Sequence, residues 1–526
     1  MVRHLLNNKN SWHICTILSL TVRLVYTTFE VVNNLFQERK KAMDYFLSHY
    51  PFKNQPFTHQ AAYLQRFWEE PEIAVLAEMG TGKSFMLINN AAMLYDKGRI
   101  NSMLIVAPKG VYRNWYTSEI PKHMPAHIPL AMACWSPTPR KAEQVAMEKM
   151  LASVDSLRVL VMNIEAFSTE KGATFARTFL RVTNAFMAID ESTTIKTPGA
   201  KRTKSIIKVG KEAKYRRIAT GSPVTKSPLD LYSQCEFLGN DCLGYHSFYA
   251  FQARYAVLVE RKLPTHTFKQ IVGYRHLEEL QKKLNRFAFR VTKEECLDLP
   301  DKVFVRREIE LTPEQKKYYD QMKLMALSIL EDGSMMTTNN ALTQIMRLQQ
   351  ICCGHVKLDD GRQEDIPSNR VNELLALIEE VEGKVIIWAN YRRDIENIKL
   401  ALQEKHGMTS VATYFGDTEA EVRQEIVTNF QDPGHDLRFF VGNPRTGGYG
   451  LTLTAAKTVI YYSNNFDLEV RLQSEDRAHR IGQTNKVTYV DFISPGTVDE
   501  HIVKALRNKI NIANAVLGEE LKEWIK

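Results

Sequence analysis

Short apolar runs alternate along the chain with longer segments whose apolar positions recur at helical spacing. Each run has the length of a buried strand and ends in a polar or glycine-containing loop, which is typical of parallel sheets with crossover helices. The runs form two series, which predict two α/β lobes. The first series is EIAVLAE (72–78), MLIVAP (103–108), RVLVMN (158–163), FMAIDE (186–191) and RRIATGS (216–222), and the second is KVIIWAN (384–390), VATYF (411–415), RFFVGN (438–443), TVIYYS (458–463) and KVTYVDF (486–492).

The segments between the two series have a different pattern. Residues 228–290 and 312–352 are rich in Leu, Tyr, Gln, Lys and Glu at helical spacing, which predicts helical additions to the lobes. Thr312 and Pro313 have the residue types of a helix cap and a first helical position. Residues 297–311 are then the predicted crossing between the lobes.

The composition of the chain is compatible with a nucleic-acid partner but does not require one. The chain has 526 residues, 44% hydrophobic and 25% charged, which is ordinary for a folded protein of two or three domains. A formal net charge of +9 permits a nucleic-acid partner. Seven scattered cysteines indicate a reducing interior. Cys352, Cys353 and His355 lack the second ligand pair of a zinc site, so no metal is expected there.

The sequence before Met43 shows neither the pattern of a folded domain nor that of a membrane-spanning helix. The apolar run over 11–29 is interrupted by Arg23, so no transmembrane helix is predicted. Recognisable organisation begins only after Met43. We therefore expect residues 1–42 to be an extension that is either absent from the native protein or disordered.

A glycine-rich stretch, AEMGTGKS (77–84), follows the first apolar run and precedes a helical pattern. Backbone amides of such a loop hold phosphate, the lysine binds the terminal phosphates, and the hydroxyl binds Mg²⁺. Lys83 and Ser84 fit these roles, and the following helix directs its positive end at the anion. The nucleotide-binding residues predicted here are Ala77, Glu78, Met79, Gly80, Thr81, Gly82, Lys83 and Ser84, with Ala77 standing where the full pattern has glycine.

An acid pair follows a later run of the same series. In AFMAIDES, Asp190 would hold Mg²⁺ and Glu191 would orient and deprotonate the attacking water. The alternative is that the pair only caps a helix. Gln60, ahead of the loop, is free to face a base edge, and its amide suits adenine.

Positive charge for phosphoryl transfer is available in the second half of the chain. Gln473, Arg477 and Arg480 are spaced i, i+4, i+7, which predicts that one helical face presents all three. A solvated basic face is the alternative. With a phosphate loop in the other lobe, a shared site in the cleft between the lobes is favoured.

These motifs together resemble the Snf2 (SWI2/SNF2) group of superfamily 2 helicase-like ATPases. HQ (59–60) is similar to the adenine-reading motif, AEMGTGKS to motif I, and RAHRIGQ (477–483) within motif VI is the most specific string. The further matches are LIVAPKGVYRNWYTSEI (104–120) to motif Ia, DESTTIKTPGAKRTK (190–204) to motif II, ATGSPV (219–224) to motif III and GGYGLTLTAAKTVIYYSNNFD (447–467) to motif V.

The resemblance implies a fold, a chemistry and residue roles. The fold is α/β, with two RecA-like lobes of parallel sheets and helical insertions. Lys83, Asp190, Glu191, Arg477 and Arg480 would be catalytic, with ATP and Mg²⁺ as cofactors. Further implied roles are nucleotide binding by Gln60 and Gly450, Mg²⁺ binding by Ser84 and Asp190, coupling by Thr220, Ser222 and Gln473, and DNA-backbone contact by Lys109, Thr446, Gly447 and Gly448.

Two departures from the family pattern concern this coupling. Thr193 stands where many relatives have histidine, and it cannot make an imidazole's contacts. Ser222 replaces a frequent threonine, which is a milder change.

The resemblance gives domain limits and a function. Lobe 1 covers 43–299 with an insertion at about 228–290, and lobe 2 covers 300–526 with an insertion at about 312–365. The implied function is ATP-driven movement along duplex or branched DNA, in fork remodelling, recombination or repair, in a bacterial cytoplasm or a nucleus, without membrane association. The alternatives are a motor that displaces proteins from DNA, a translocating subunit of a larger complex, and an inactive DNA-binding scaffold.

Overall fold

A computed structural model describes residues 45–239, 242–262, 267–331, 338–357, 362–416, 418, 420–447 and 451–518. The predicted extension over 1–42 lies outside these residues, as do Gly448 and Gly450.

Two parallel sheets organise the described chain. The strands are β1 (Glu72–Ala77), β2 (Ser102–Ala107), β3 (Leu130–Cys134), β4 (Leu157–Asn163), β5 (Ala185–Asp190), β6 (Tyr215–Ala219), β7 (Ala256–Lys262), β8 (Thr267–Tyr274), β9 (Ala288–Val291), β10 (Lys302–Glu308), β11 (His355–Lys357), β12 (Gln363–Asp365), β13 (Lys384–Trp388), β14 (Val411–Tyr414), β15 (Phe439–Gly442), β16 (Ala456–Tyr461) and β17 (Val487–Ile493). The first sheet has the order β3-β4-β2-β5-β6-β1-β9 and the second β10-β17-β16-β13-β15-β14, and every pairing in both is parallel.

Helices connect the strands and cover the sheets. They are α1 (Thr58–Phe67), α2 (Lys83–Asp96), α3 (Tyr112–Asn114), α4 (Ile120–His123), α5 (Lys141–Ala152), α6 (Glu170–Arg181), α7 (Lys201–Gly210), α8 (Leu231–Leu238), α9 (Phe248–Tyr255), α10 (Leu277–Leu284), α11 (Lys293–Cys296), α12 (Pro313–Glu331), α13 (Thr338–Cys353), α14 (Arg370–Glu380), α15 (Arg392–His406), α16 (Ala420–Gln431), α17 (Pro444–Gly447), α18 (Leu468–Glu475) and α19 (Val498–Leu517). A π-helical turn, Trp115–Glu119, joins α3 to α4.

Both faces of each sheet are buried, which explains why the strands read as continuous apolar runs. On β2, Leu104 and Val106 face one core cluster while Met103 and Ile105 face the other. The two faces of the second sheet are covered in the same way by separate clusters. The predicted α/β fold with two parallel-sheet lobes is therefore confirmed.

The two segments that the sequence predicts to be helical insertions contain strands as well as helices. Residues 228–290 carry α8 to α10, but also the antiparallel hairpin β7–β8 and the edge strand β9. Residues 312–365 carry α12 and α13 and the small hairpin β11–β12. Thr312 accepts a hydrogen bond from Gln315 N at 3.2 Å, as a cap of α12 should.

The predicted crossing over 297–311 is shorter than expected. Residues 302–308 form β10, which pairs in parallel with β17 at the edge of the second sheet. The link between the sheets is therefore confined to the residues just before β10. In the part of the chain that the structure describes, no helix has the length and apolar character needed to cross a bilayer.

Candidate active site

The phosphate loop connects β1 to α2, and its glycines allow its curvature. Gly80 and Gly82 have φ of 82° and 85°, a region that favours glycine. A Cβ on Gly82 would also lie 2.2 Å from Nε2 of Gln60. Lys83 begins α2, and its Nζ donates to the carbonyl oxygens of Ala77 at 3.0 Å and Glu78 at 3.3 Å. The ammonium therefore lies across the mouth of the loop, with Ser84 beside it on the first turn of α2.

The acid pair lies at the carboxyl end of β5, one strand removed from β1. Trp115 Nε1 donates to Asp190 Oδ2 at 2.9 Å, and Glu191 N donates to Oδ1 at 3.1 Å. Glu191 has φ of 51°, a conformation that costs a non-glycine residue on the order of 1 kcal/mol. Because of this left-handed backbone at Glu191, the side chains of Asp190 and Glu191 point in directions that a continuous extended strand would not give them.

Burial dominates the ionisation of both acids. It raises the pKa of Asp190, and it raises the pKa of Glu191 to about 7, while the nearby Lys83 ammonium opposes both shifts. A carboxylate with a pKa near neutrality is suited to accept a proton from water at physiological pH. The predicted members Lys83, Asp190 and Glu191 thus lie within electrostatic reach of one another.

Gln60 does not have the free amide that its sequence position predicted. Its side chain is 3% exposed, its Oε1 accepts from Phe57 N at 3.0 Å, and its Nε2 donates to Thr81 O at 3.2 Å. His59 contacts the same carbonyl oxygen at 2.7 Å. The expectation of a free amide was wrong because the start of α1 packs directly against the phosphate loop.

The arginines of the second lobe are not on one helical face, and that prediction was wrong. Helix α18 ends at Glu475, so Arg477 and Arg480 lie in the turns that follow it. They converge nevertheless, because Nη1 of both donates to Leu451 O, at 3.1 and 2.9 Å. Arg477 Nε also donates to Gln473 O at 3.0 Å.

This arginine-bearing turn lies against the phosphate loop of the other lobe. A Cβ built on Gly80 would lie 3.7 Å from Cβ of Arg480. Arg477 is also close enough to Glu191 to lower the pKa of that carboxyl, against the larger effect of burial. Both arginines therefore approach the groups of lobe 1 that the sequence assigned to phosphate and water.

A second contact between the lobes involves Glu469 of α18. Its Oε1 accepts from Thr193 Oγ1 at 2.9 Å, and its Oε2 accepts from Lys196 Nζ at 3.0 Å. Gln473 Nε2 donates to the same Oε1 at 3.4 Å. Thr193 cannot replace an imidazole, but it does join the acid-pair loop to the second lobe.

The other predicted coupling residues lie next to the acid pair. Thr220 Oγ1 donates to Glu191 Oε2 at 3.4 Å, and Ser222 N donates to Thr220 Oγ1 at 3.2 Å. Of the residues predicted to contact DNA, Lys109 is exposed in the loop after β2, and Thr446 is half-buried in α17, which ends at Gly447.

A cavity of about 610 Å³ lies between the lobes behind the phosphate loop. Its walls include Glu78 and Ser222 of the first lobe, Lys293 after β9, and Leu472 and Asp476 of the second lobe. Among the described residues, no group of three or more His, Cys, Asp or Glu side chains could hold a metal ion.

Sequence reasoning missed several residues of this region. Trp115 lies within the segment similar to motif Ia, but nothing in its spacing points to Asp190. Glu469 and Lys293 were not singled out, because their partners across the cleft are 276 and 183 residues away in sequence. The burial of these charged side chains, which would have indicated a functional contact, can be recognised only from the folded structure.

Comparison with known proteins identifies the family. Residues 59–357, more than half of the chain, match the SNF2-related domain. The chain belongs to the SNF2-related family. Residues 369–482 of this SNF2-related chain also match the helicase conserved C-terminal domain. The predicted family is confirmed.

Curated relatives are similar over most of this chain but are much longer. An uncharacterised ATP-dependent helicase of Mycoplasma genitalium is 26% identical over 84% of the chain and 40% of its own length. A protein of Arabidopsis thaliana named as a probable ATP-dependent DNA helicase is 26% identical, over 84% and 39%. The SWI/SNF-related matrix-associated actin-dependent regulator of chromatin subfamily A member 1 of Homo sapiens is 26% identical, over 84% and 41%. The chain thus spans about 40% of the length of these relatives.

A solved structure titled "Sulfolobus solfataricus SWI2/SNF2 ATPase core in complex with dsDNA" also matches. It is 23% identical, the match covers 89% of this chain and 95% of that one, and the TM-score is 0.40.

Proposed function

We propose that this SNF2-related chain hydrolyses ATP to move along duplex or branched DNA. The observation that carries the proposal is the position of the Arg480 turn of lobe 2 against Gly80 in the phosphate loop of lobe 1. A nucleotide bound there would touch both lobes, so its binding and hydrolysis would change how the lobes are held together.

The residues of lobe 1 fit ATP and Mg²⁺. The loop amides and Lys83 would bind the β- and γ-phosphates at the positive end of α2. Ser84 and Asp190 offer a hydroxyl and a carboxylate oxygen, the hard ligands that Mg²⁺ prefers, and Trp115 fixes the carboxylate. When bound, Mg²⁺ would neutralise charge on the transferred phosphoryl group.

The remaining groups would act on the nucleophile and the developing charge. Glu191, with a pKa near 7, would orient water and accept its proton. Arg477 and Arg480 would stabilise the charge on the phosphoryl oxygens in the transition state, which is where interactions accelerate hydrolysis. Thr220 is hydrogen-bonded to Glu191 and to the backbone of Ser222, so a change in the position or protonation of the Glu191 carboxylate would shift the loop containing Ser222.

DNA is the proposed track. A relative is named as a probable ATP-dependent DNA helicase, and the chain carries a formal net charge of +9. We expect Lys109, Thr446, Gly447 and Gly448 to contact the backbone. Such contacts carry no sequence information, so binding should be independent of sequence and strongly salt-dependent. A role at forks or junctions in repair or recombination belongs to this proposal.

The test is ATP hydrolysis by the full chain without nucleic acid and with single-stranded DNA, duplex, forked DNA or RNA. We expect duplex or forked DNA to raise the hydrolysis rate at least about tenfold over the nucleic-acid-free rate. DNA bound to both lobes should favour the relative position of the lobes in which the ATP site is complete. Preferential stimulation by forks selects branch remodelling. Equal rates in all five reactions would refute a DNA motor, and hydrolysis in none of them would leave the scaffold alternative.

Movement needs a separate measurement. A third strand bound to a duplex is displaced by a protein that advances along the duplex, even when the duplex stays paired. We expect ATP-dependent displacement by the wild-type chain and none by Lys83→Ala. ATP-dependent release of a bound protein without third-strand displacement would favour the protein-displacing motor instead.

A further inference from the structure

Lys293 connects the two halves of the proposed site. It begins α11, directly after β9 of the first sheet. Its backbone N–H donates to Glu78 Oε2 in the phosphate loop at 2.8 Å. Its side chain extends into the second lobe, where Nζ donates to Asp476 Oδ1 at 2.5 Å and to His479 O at 2.6 Å.

Each of the two acceptors of Nζ immediately precedes one of the arginines. Asp476 comes before Arg477, and His479 comes before Arg480. The Lys293 stem also lies beside the loop glycine, because a Cβ on Gly80 would be 3.7 Å from both Lys293 Cε and Arg480 Cβ. One residue of lobe 1 thus contacts the phosphate loop by its backbone and the arginine turn by its side chain.

This contact is buried, so it is formed at the expense of hydration. The Lys293 side chain is 6% exposed and that of Asp476 16%. Burial lowers the pKa of Lys293, and the Asp476 carboxylate opposes that shift. An ammonium held in such a place needs its two oxygen acceptors, which makes the position of the turn specific.

We propose that Lys293 is a positioning residue that holds the Arg477–Arg480 turn against the phosphate loop for hydrolysis. The inference rests on the proposed function, in which these arginines stabilise the transition state. Lys293 is not placed on the nucleotide itself. Its loss should therefore affect the chemical step far more than ATP binding.

Lys302 offers a matched control. It belongs to β10 of the second lobe, and its Nζ donates to Glu475 Oε2 at 3.1 Å, one residue before Asp476. Both lysines bind a carboxylate in the same small region. Only Lys293 of this pair reaches the turn from the other lobe, so Lys302→Met removes an ion pair without removing the inter-lobe contact.

The kinetic experiment compares the full chain with Lys293→Met, Lys302→Met and Lys293→Arg, measuring kcat, KM for ATP and thermal stability in the presence of duplex DNA. We expect Lys293→Met to lower kcat at least about tenfold with KM within about threefold, and Lys302→Met to lower kcat by less than about twofold. Lys293→Arg should recover much of the rate, since a guanidinium can donate to both acceptors. Equal losses in the two methionine variants would overturn the positioning role.

Epistasis tests whether Lys293 acts through the arginine turn. If it does, Lys293→Met should add less than about threefold to the loss caused by Arg480→Ala. Fully multiplicative losses would contradict the inference.

Hydrogen exchange separates failure of this inference from failure of the proposed function. Amide hydrogens of residues 477–483 should exchange at least about tenfold faster in Lys293→Met than in wild type, and less than about threefold faster in Lys302→Met. This change with no ATP hydrolysis by the wild type would uphold the contact and refute the ATPase. Unchanged exchange in Lys293→Met would overturn the inference whatever the wild-type activity.

Discussion

Loss of the Glu469 carboxylate should weaken the docking of the two lobes. Glu469 accepts from Thr193 and Lys196 of the other lobe at 2.9 and 3.0 Å. Glu469→Gln keeps the shape of the side chain and an oxygen for Thr193, while removing the charge that faces Lys196. The partner variant Lys196→Met removes the other charge.

The geometry sets the expected size of the effect. Lys196 and Glu469 side chains are 16% and 15% exposed, so solvent screens the pair only partly. At 3.0 Å and an effective dielectric constant of about 20, the gross attraction is on the order of 5 kcal/mol. Desolvation offsets most of it, leaving a coupling of ~1–2 kcal/mol. This corresponds to about a 5- to 30-fold shift of the docking equilibrium.

The assay is a double-mutant cycle on the docked fraction, read from spin-label distances at Val154 and Met408. Val154 lies in lobe 1 and Met408 in lobe 2, and they are 86% and 73% exposed. Spin labels introduced at these positions as non-canonical amino acids should therefore disturb the packing of each lobe very little. A control cycle uses Arg181→Met and Glu212→Gln, an ion pair within lobe 1.

We expect no coupling between docking and the control pair, because an ion pair within one lobe is the same in both docking states. A coupling for Lys196 and Glu469 below ~0.3 kcal/mol, the usual error of additivity, would refute the reasoning.

Three further outcomes follow from the phosphate loop and the acid pair. Lys83→Ala should lower ATP turnover at least about 100-fold, measured by phosphate release, while duplex affinity in a filter-binding assay changes less than about threefold. Trp115→Phe removes the hydrogen bond to Asp190, so half-maximal hydrolysis should need about five- to tenfold more Mg²⁺; an unchanged Mg²⁺ titration would show that the bond is dispensable. Gly82→Ala should weaken binding of a fluorescent ATP analogue at least about tenfold, since its Cβ meets a side chain 2.2 Å away; Gly98→Ala, also at positive φ but with nothing within 4 Å, should leave that binding unchanged and lower only stability, by ~1 kcal/mol.

The local sequence pattern was sufficient where consecutive residues build a feature by themselves. The apolar runs located ten strands of the two sheets, and the phosphate loop and Asp190 lie at the ends of β1 and β5 as the motifs required. Strand β3 was missed because LAMAC is short and rich in alanine. Strand β10 was taken for a crossing because its residues are exposed or only partly buried, so it lacks the continuous apolar run of a buried strand.

Features that depend on contacts with residues elsewhere in the chain could not be predicted from the spacing of residues within one segment. The i, i+4, i+7 pattern predicted one helical face, yet Arg477 and Arg480 converge through turns that bind Leu451 O. The free amide expected for Gln60 is engaged by the loop that packs against it. A propensity argument describes a residue in its own element, whereas these positions are determined by a partner from elsewhere in the chain.

The central claim is that lobe 2 completes an ATP site built on lobe 1, and Arg480→Ala tests it most directly. ATP-analogue binding and duplex-stimulated hydrolysis are measured on the same preparation of the full chain. We predict that hydrolysis falls at least about 100-fold while the Kd for the analogue changes less than about threefold, because the guanidinium acts on charge that develops only in the transition state. Hydrolysis at the wild-type rate, or a loss explained wholly by weaker binding, would contradict the account.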